Sequence, residues 1–322
     1  MINRQKCFSE AFAEQKSALN KKNAEYYNKI EDLKRSDKEF SDILLKISSL
    51  GAQAAGVALS GDTLKLENLS HKISQLSKLK EKKLKENGIF PIKFDCGLCK
   101  DTGYISGKIC PCIKKRAEKL MLEKLSKELP INESGFDNFD LSYYPEDGSE
   151  KSPRKRMEKI YDLCLDFTKN FDPEKSENLL FLGSAGLGKT HLSLAIVKEL
   201  INKGFDCIYA SAYNLFSAME NDHFSSRSNE TYEAAISCDL LVIDDLGSEF
   251  TSPFILSCIY NVINTRLLSK KPTVISTNLT ISEIESRYTP RISSRFIGNY
   301  NAKKFWGEDI RQIKMIKKGL PN

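Results

Sequence analysis

The segment Gly183-Ser184-Ala185-Gly186-Leu187-Gly188-Lys189-Thr190 constrains this chain more than any other stretch. It follows the apolar run Leu179-Leu180-Phe181-Leu182 and precedes His191 to Leu200, where Leu192, Leu194, Ala195, Ile196 and Val197 mark a core-facing helix. Strand, glycine turn and helix together make a phosphate cradle. The glycines let backbone N–H groups close on the oxygens, and the helix points its positive end at the same anion. In that setting Lys189 reaches the β- and γ-phosphates and Thr190 offers a hydroxyl to Mg²⁺. All eight residues, 183 to 190, are expected to line the nucleotide.

Three more apolar runs read as strands: Asp206 to Ala210, Asp239 to Ile243 and Thr273 to Ser276. Helical stretches separate them, which predicts a parallel sheet with helices on both faces. The run Leu240-Leu241-Val242-Ile243 delivers Asp244 and Asp245 at its C-terminal end. Ligands bind at that end of open α/β sheets. Asp244 is therefore expected to hold Mg²⁺ through its water shell, and Asp245 to orient or deprotonate an attacking water.

The order GSAGLGKT, LLVIDDLGSE, VISTN and RISSRF resembles an AAA+ ATPase of the initiator and helicase-loader branch. The resemblance implies ATP with Mg²⁺ as the bound cofactors. It places Asn278 as the sensor beside the γ-phosphate. Arg295 matches the arginine finger that acts on a neighbouring subunit's nucleotide, with Arg291 as a second candidate, and Arg311 resembles a C-terminal sensor arginine. Such proteins usually carry Glu where this chain has Asp245, and the shorter side chain is expected to slow hydrolysis. The chain ends at Asn322, soon after Arg311. An AAA+ core without the C-terminal helical lid is thus expected, which narrows the likeness to the DnaC/DnaI helicase loaders and the IstB transposition helpers.

Nine cysteines are present, and four cluster as Cys96-x-x-Cys99 and Cys110-x-Cys112. Four thiolates suffice for tetrahedral Zn²⁺, and they leave no open coordination position, so the expected metal role is structural. An iron–sulfur cluster and free thiols are the alternatives. The segment 96–112 also resembles the zinc segment of DnaI-like loaders. Cys7, Cys164, Cys207, Cys238 and Cys258 are scattered and read as buried thiols.

Composition and breakers divide the chain into a helical, zinc-binding domain at 1–129, a turn-rich linker at 130–153 and the ATPase domain at 154–322. Leu66, Leu69, Ile73, Leu76, Leu79 and Leu84 form a stripe at helical spacing that should pack on a neighbouring helix or a partner. No uninterrupted apolar run approaches the ~20 residues of a membrane helix, and the N-terminus lacks a secretory core. A cytoplasmic protein with no membrane partner is expected. Its net charge of +6 is compatible with nucleic acid, although Lys and Arg mostly alternate with Glu and Asp.

The family likeness implies an ATP-dependent helicase loader. Its partners would be the hexameric replicative DNA helicase, single-stranded DNA and further copies of itself through the ATPase domain. Tyr213, Phe216, Phe224 and Arg227, in a helical insertion at 212–235, are the candidate DNA contacts, because stacking and charge suit single strands. A packed-core role competes for each aromatic. An IstB-like transposition helper and a non-hydrolysing nucleotide-bound adaptor are the other two functions this sequence allows.

Overall fold

A computed structural model describes residues 4–225 and 229–317. The chain divides into two compact units, one formed by residues 12–113 and the other by 1–11 with 114–322. Two helices, α1 (Arg4–Ser36) and α4 (Pro111–Glu128), contribute residues to both units.

The first unit also contains α2 (Lys38–Ser60), α3 (Thr63–Glu86) and the antiparallel pair β1 (Tyr104–Ile105) and β2 (Lys108–Ile109). Asp37 starts α2 by accepting the Phe40 N–H, and Gly61 ends it in the left-handed conformation that glycine adopts freely. Asp62 then caps α3, so the two helices pack along each other as a hairpin. The leucine stripe of α3 faces this neighbour. Leu66, Leu69, Ile73 and Leu76 are half-buried and Leu84 is buried, while Leu79 stays exposed. Leu84 joins Leu33, Phe40 and Ile89 in a small core. By length and composition α2 is the one described helix that could span a membrane, and it is largely exposed. Lys46, Ser48 and Ser49 break its apolar run, so α2 does not stand out as one uninterrupted stretch in the sequence.

The second unit is built on a five-stranded parallel sheet of order β4-β5-β6-β3-β7. Its elements are α5 (Pro153–Lys169), β3 (Asn178–Leu182), α6 (Lys189–Asn202), β4 (Cys207–Ser211), α7 (Ala212–Phe224) and α8 (Glu230–Ser237). They continue with β5 (Leu240–Leu246), α9 (Pro253–Leu268), β6 (Thr273–Thr277), α10 (Ile281–Arg287), α11 (Pro290–Asn299), β7 (Tyr300–Lys304) and α12 (Ile310–Lys317). The central strands bury both faces and so read as continuous aliphatic runs. The edge strand β7 is Tyr-Asn-Ala-Lys-Lys, whose polar residues suit an edge and hide it from a hydrophobicity reading.

The segment 130–153, expected as a linker, falls inside this second unit and not between two domains. Its aromatics explain the difference. Tyr144 is 1% exposed and donates its hydroxyl to the Leu187 carbonyl at 3.0 Å. Phe139 stacks on both Tyr144 and Tyr161. Turn-forming residues here shape a folded strap.

Arg266, on α9, is fully buried without a carboxylate partner in its hydrogen-bond set. Its guanidinium donates to the carbonyls of Ala235 at 2.8 Å, Cys238 at 3.0 Å and Pro272 at 2.5 Å, and to Thr273 Oγ1 at 3.0 Å. It thus ties the end of α8 and the start of β6 to α9. Removing it strands several buried acceptors, each worth about 1–3 kcal/mol. Arg266→Ala should therefore destabilise the protein by roughly 3 kcal/mol or more, read as a lower urea midpoint at constant slope. Arg266→Lys should recover little, because an ammonium lacks the fork. A midpoint unchanged in Arg266→Ala would show that these bonds contribute no net stability.

Candidate functional site

The phosphate-type loop leaves β3 at Gly183 and enters α6 at Lys189. Gly186 and Gly188 both have positive φ, 75° and 90°. A Cβ at Gly186 would lie 1.9 Å from Asp309 Oδ1, and one at Gly188 would lie 2.8 Å from the Tyr144 hydroxyl. Glycine is thus required twice over, by conformation and by close approach. The far side of the loop is held by the C-terminal segment, where the Ile310 N–H donates to the Gly186 carbonyl at 3.1 Å.

Lys189 is 6% exposed, and its ammonium donates to the Gly183 carbonyl at 2.5 Å, the Ser184 carbonyl at 2.7 Å and Asn278 Oδ1 at 2.7 Å. Burial pulls its pKa down to about 8, against the opposing pull of Asp244 and Asp245. Asp244, 8% exposed, accepts from Thr190 Oγ1 at 3.0 Å, from the Tyr209 hydroxyl at 2.6 Å and from Ser276 Oγ. Asp245 accepts from Asn278 Nδ2 at 2.9 Å. It sits at φ 56°, where a register shift interrupts the β5–β6 pairing between Ile243 and Leu246.

These groups line a cavity of about 650 Å³ together with Ala185 to Leu187, Arg311 and Lys314. Its other wall comes from the 130–144 strap, through Phe139, Tyr143 and Tyr144, and from His191. Burial lowers the His191 pKa, and the neutral ring donates Nε2–H to the Gly135 carbonyl at 2.8 Å. An apolar wall beside a cationic loop fits a nucleotide: a ring to stack, then phosphates. Thr190 and Asp244, 3.0 Å apart, fit one hydroxyl and one carboxylate ligand of an ion that keeps most of its waters.

Arg295 does not line the cavity. It is held on α9, donating to Asn264 Oδ1 at 2.7 Å and to the Tyr260 hydroxyl at 3.0 Å, with its guanidinium 4.5 Å over the Tyr260 ring. Arg291 is exposed, and its carbonyl accepts from Arg295 at 2.8 Å. Tyr209, Ser276 and the strap join the site without being legible as site residues in the sequence. Hydroxyl side chains within the apolar strands β4 and β6, and aromatics clustered in a turn-rich stretch, were the available signals.

Among the insertion residues, Phe216 is fully buried in the sheet core, which removes it from the DNA candidates. Tyr213 and Phe224 are 45% and 73% exposed. Tyr213 meets Phe250 edge-on, and Phe224 packs with His223 and Phe254. Arg227 lies outside the described residues.

In the other unit, the four cysteine sulfurs of 96, 99, 110 and 112 all lie within 4.8 Å of one another. Cys96 and Cys110 are 3.7 Å apart, and Cys99 and Cys112 are 3.5 Å apart. A tetrahedron with Zn–S of about 2.3 Å has edges near ~3.8 Å, so the donor set fits one ion. Backbone N–H bonds from Cys99 and Leu98 lower the Cys96 pKa to about 7, while burial pushes Cys112 up to about 12. Asp101, at φ 61°, shapes the knuckle by accepting the N–H groups of Asp95 at 2.9 Å and Cys96 at 2.8 Å.

The low pKa of Lys189 has a measurable consequence. Above about 8 the free protein carries a neutral amine there, and a bound triphosphate favours the ammonium, so binding takes up a proton. Apparent ATP affinity should fall as pH rises from 8 to 9, by up to about tenfold per unit, in titrations with a fluorescent nucleotide. Affinity that stays flat to pH 9.5 would show that this ammonium does not hold phosphate.

A model of the IstB-like ATP binding protein family matches residues 129–291. The phage-like element PBSX protein XkdC of Bacillus subtilis is 28% identical over 205 residues, spanning 59% of this chain and 73% of that protein. The replicative helicase loader DnaC of Buchnera aphidicola is 30% identical over 194 residues, 58% of this chain and 72% of the loader. The putative ATP-binding protein of insertion sequence IS5376 of Geobacillus stearothermophilus is 27% identical over 172 residues, 53% of this chain and 62% of that protein. With its cradle, paired aspartates and parallel sheet in place, this chain belongs to the IstB-like ATP-binding proteins, among relatives of the DnaC helicase loaders.

Proposed function

We propose that the protein is an ATP-hydrolysing loader that delivers the replicative DNA helicase to single-stranded DNA. The observation that carries this reading is the division of the cationic groups. Lys189 lies in the cavity with both aspartates and Asn278, whereas Arg295, on α11, lies outside the cavity lining and is held against α9. A cavity lined by Lys189, Arg311 and Lys314 but not by Arg295 suits a protein in which a second copy supplies that arginine.

In this reading the loop amides and Lys189 hold the triphosphate, and Thr190 and Asp244 hold Mg²⁺. The bound ion neutralises phosphate charge. Asp245 orients the attacking water and draws its proton, aided by Asn278. Arg311, a lining residue of the cavity, would meet the γ-phosphate. Arg295 of one copy meets the developing charge on the next copy's nucleotide. The four cysteines hold Zn²⁺ as a structural ion. The helical and zinc segments grip the helicase ring, and Tyr213, Phe224 and Phe250 offer faces on which unpaired bases stack. The work takes place in the cytoplasm.

The insertion-sequence relative favours a second reading, a transposition helper. Weighing against it, the cysteine cluster lies ahead of the region matched by the family model. A passive adaptor would not need Asn278 to bridge Lys189 and Asp245.

Turnover of ATP should rise with single-stranded DNA, and Arg295→Ala should lower it by roughly 10³-fold. The protein, in ATP or in ADP, should capture the host's replicative helicase and not a transposase. No turnover under any condition would leave the adaptor reading, and capture of a transposase in place of the helicase would favour the helper. Chelation of the metal should release the helicase while ATP affinity stays within twofold. A helicase complex that survives chelation would reduce the knuckle to a spacer.

A further inference from the structure

Beyond Asp245 the chain turns through Gly247, at φ 107°, to Glu249, a carboxylate only 2% exposed. The Ser248 N–H donates to the Asp245 carbonyl at 3.1 Å, which keeps the turn close to the catalytic aspartate. Glu249 Oε2 accepts the Gly247 N–H at 2.8 Å, and Oε1 accepts the hydroxyl of Tyr288. Arg287 Nη2 donates to the Glu249 carbonyl at 2.6 Å, and its Nε lies 3.8 Å from Oε1. Tyr288, 3% exposed, ends α10, and Thr289-Pro290 starts α11 directly after it. The Tyr288 ring meets Phe296 edge-on at 6.1 Å, and Phe296 is the neighbour of Arg295.

Acidic side chains are almost never buried to this degree without a purpose that repays the desolvation. Neither Glu249 nor Tyr288 lines the nucleotide cavity, so contact with nucleotide does not account for them. Both join the loop after Asp245 to the helix that carries Arg295. We propose that Glu249 and Tyr288 are positioning residues: they form a polar strut that sets the pose of Arg295 by the state of the loop beside the subunit's own nucleotide. Buried hydrogen bonds resist stretching because nothing replaces them, so loop and helix move as one piece. Each copy's arginine is thereby presented to its neighbour according to what that copy itself has bound. This rests on the reading of Arg295 as an arginine that acts between copies.

The test uses the full chain and four proteins: wild type, Tyr288→Phe, Arg295→Ala and the double variant. For each, ATP turnover, ATP dissociation constant and thermal midpoint are measured. Tyr288→Phe removes one oxygen and keeps the ring, so the fold should persist. Its kcat should fall about tenfold, since misplacement by an ångström costs one to two orders. Its ATP affinity should stay within twofold, and it should add nothing to the loss in Arg295→Ala. A tenfold loss repeated on the Arg295→Ala background, a weakened ATP affinity or an unchanged kcat would each overturn the strut. An unimpaired Arg295→Ala overturns the inter-copy arginine and the strut with it, whereas an impaired Arg295→Ala beside a normal Tyr288→Phe overturns the strut alone. Should Tyr288→Phe fail to fold, Glu249→Gln, which keeps shape and one acceptor, carries the same comparison.

Discussion

A single carboxylate, Asp244, ties four elements together. It sits on β5 and accepts hydroxyls from Thr190 on α6, Tyr209 on β4 and Ser276 on β6. A buried acidic group needs such donors, because each lone pair left empty costs the full desolvation of that atom. The donors come from segments far apart in sequence, so satisfying Asp244 also sets the height of neighbouring strands relative to the cradle. Burial and the same carboxylate push the Tyr209 hydroxyl well above its ordinary pKa, so it stays a donor. Polar satisfaction at one atom pair thus does for the site what aliphatic packing does for the sheet.

The fold was legible where its physics is local. Buried parallel strands are aliphatic on both faces, so β3, β5 and β6 stood out as Leu-Leu-Phe-Leu, Leu-Leu-Val-Ile and Thr-Val-Ile-Ser. The glycine cradle was legible because its chemistry is contiguous. The missed parts depend on partners distant in sequence. The edge strand β7 is polar, and only its pairing with β3 defines it. Tyr144 and Phe139 looked like turn residues because Asp, Gly and Pro surround them, yet they close on Leu187 and His191. Phe216 and Phe224 share a helix and a residue type, and only the direction of each relative to the sheet separates core from surface.

The two partly analogous arginines of α9 and α11 show how surroundings decide what a guanidinium does. Arg266 is sealed among three backbone carbonyls and the Thr273 hydroxyl, so it acts as a rivet between elements. Arg295 is half-exposed, stacked on Tyr260 and bonded to Asn264, partners that a charged oxygen can outcompete. A neutral amide and a ring face hold a guanidinium in readiness. A carboxylate in their place would hold it permanently. The same logic applies to Lys189, whose three neutral acceptors keep the ammonium over the loop without neutralising it.

Asp245, where resembling proteins usually carry Glu, fits its backbone. The break in β5–β6 pairing between Ile243 and Leu246 leaves this residue at φ 56°, in the left-handed region. Asp and Asn visit that region several times more readily than other side chains, because a short polar group can bond locally. The conformation is fixed from both ends: the Asp245 N–H donates to Ser276 Oγ at 2.9 Å, and its side chain accepts from Asn278 at 2.9 Å. A longer side chain would reach further into the cavity but would be less at ease at this positive φ. Reach is therefore exchanged for a carboxylate aimed by the strand beside it, and the turn this backbone makes is the one that starts the path to Glu249.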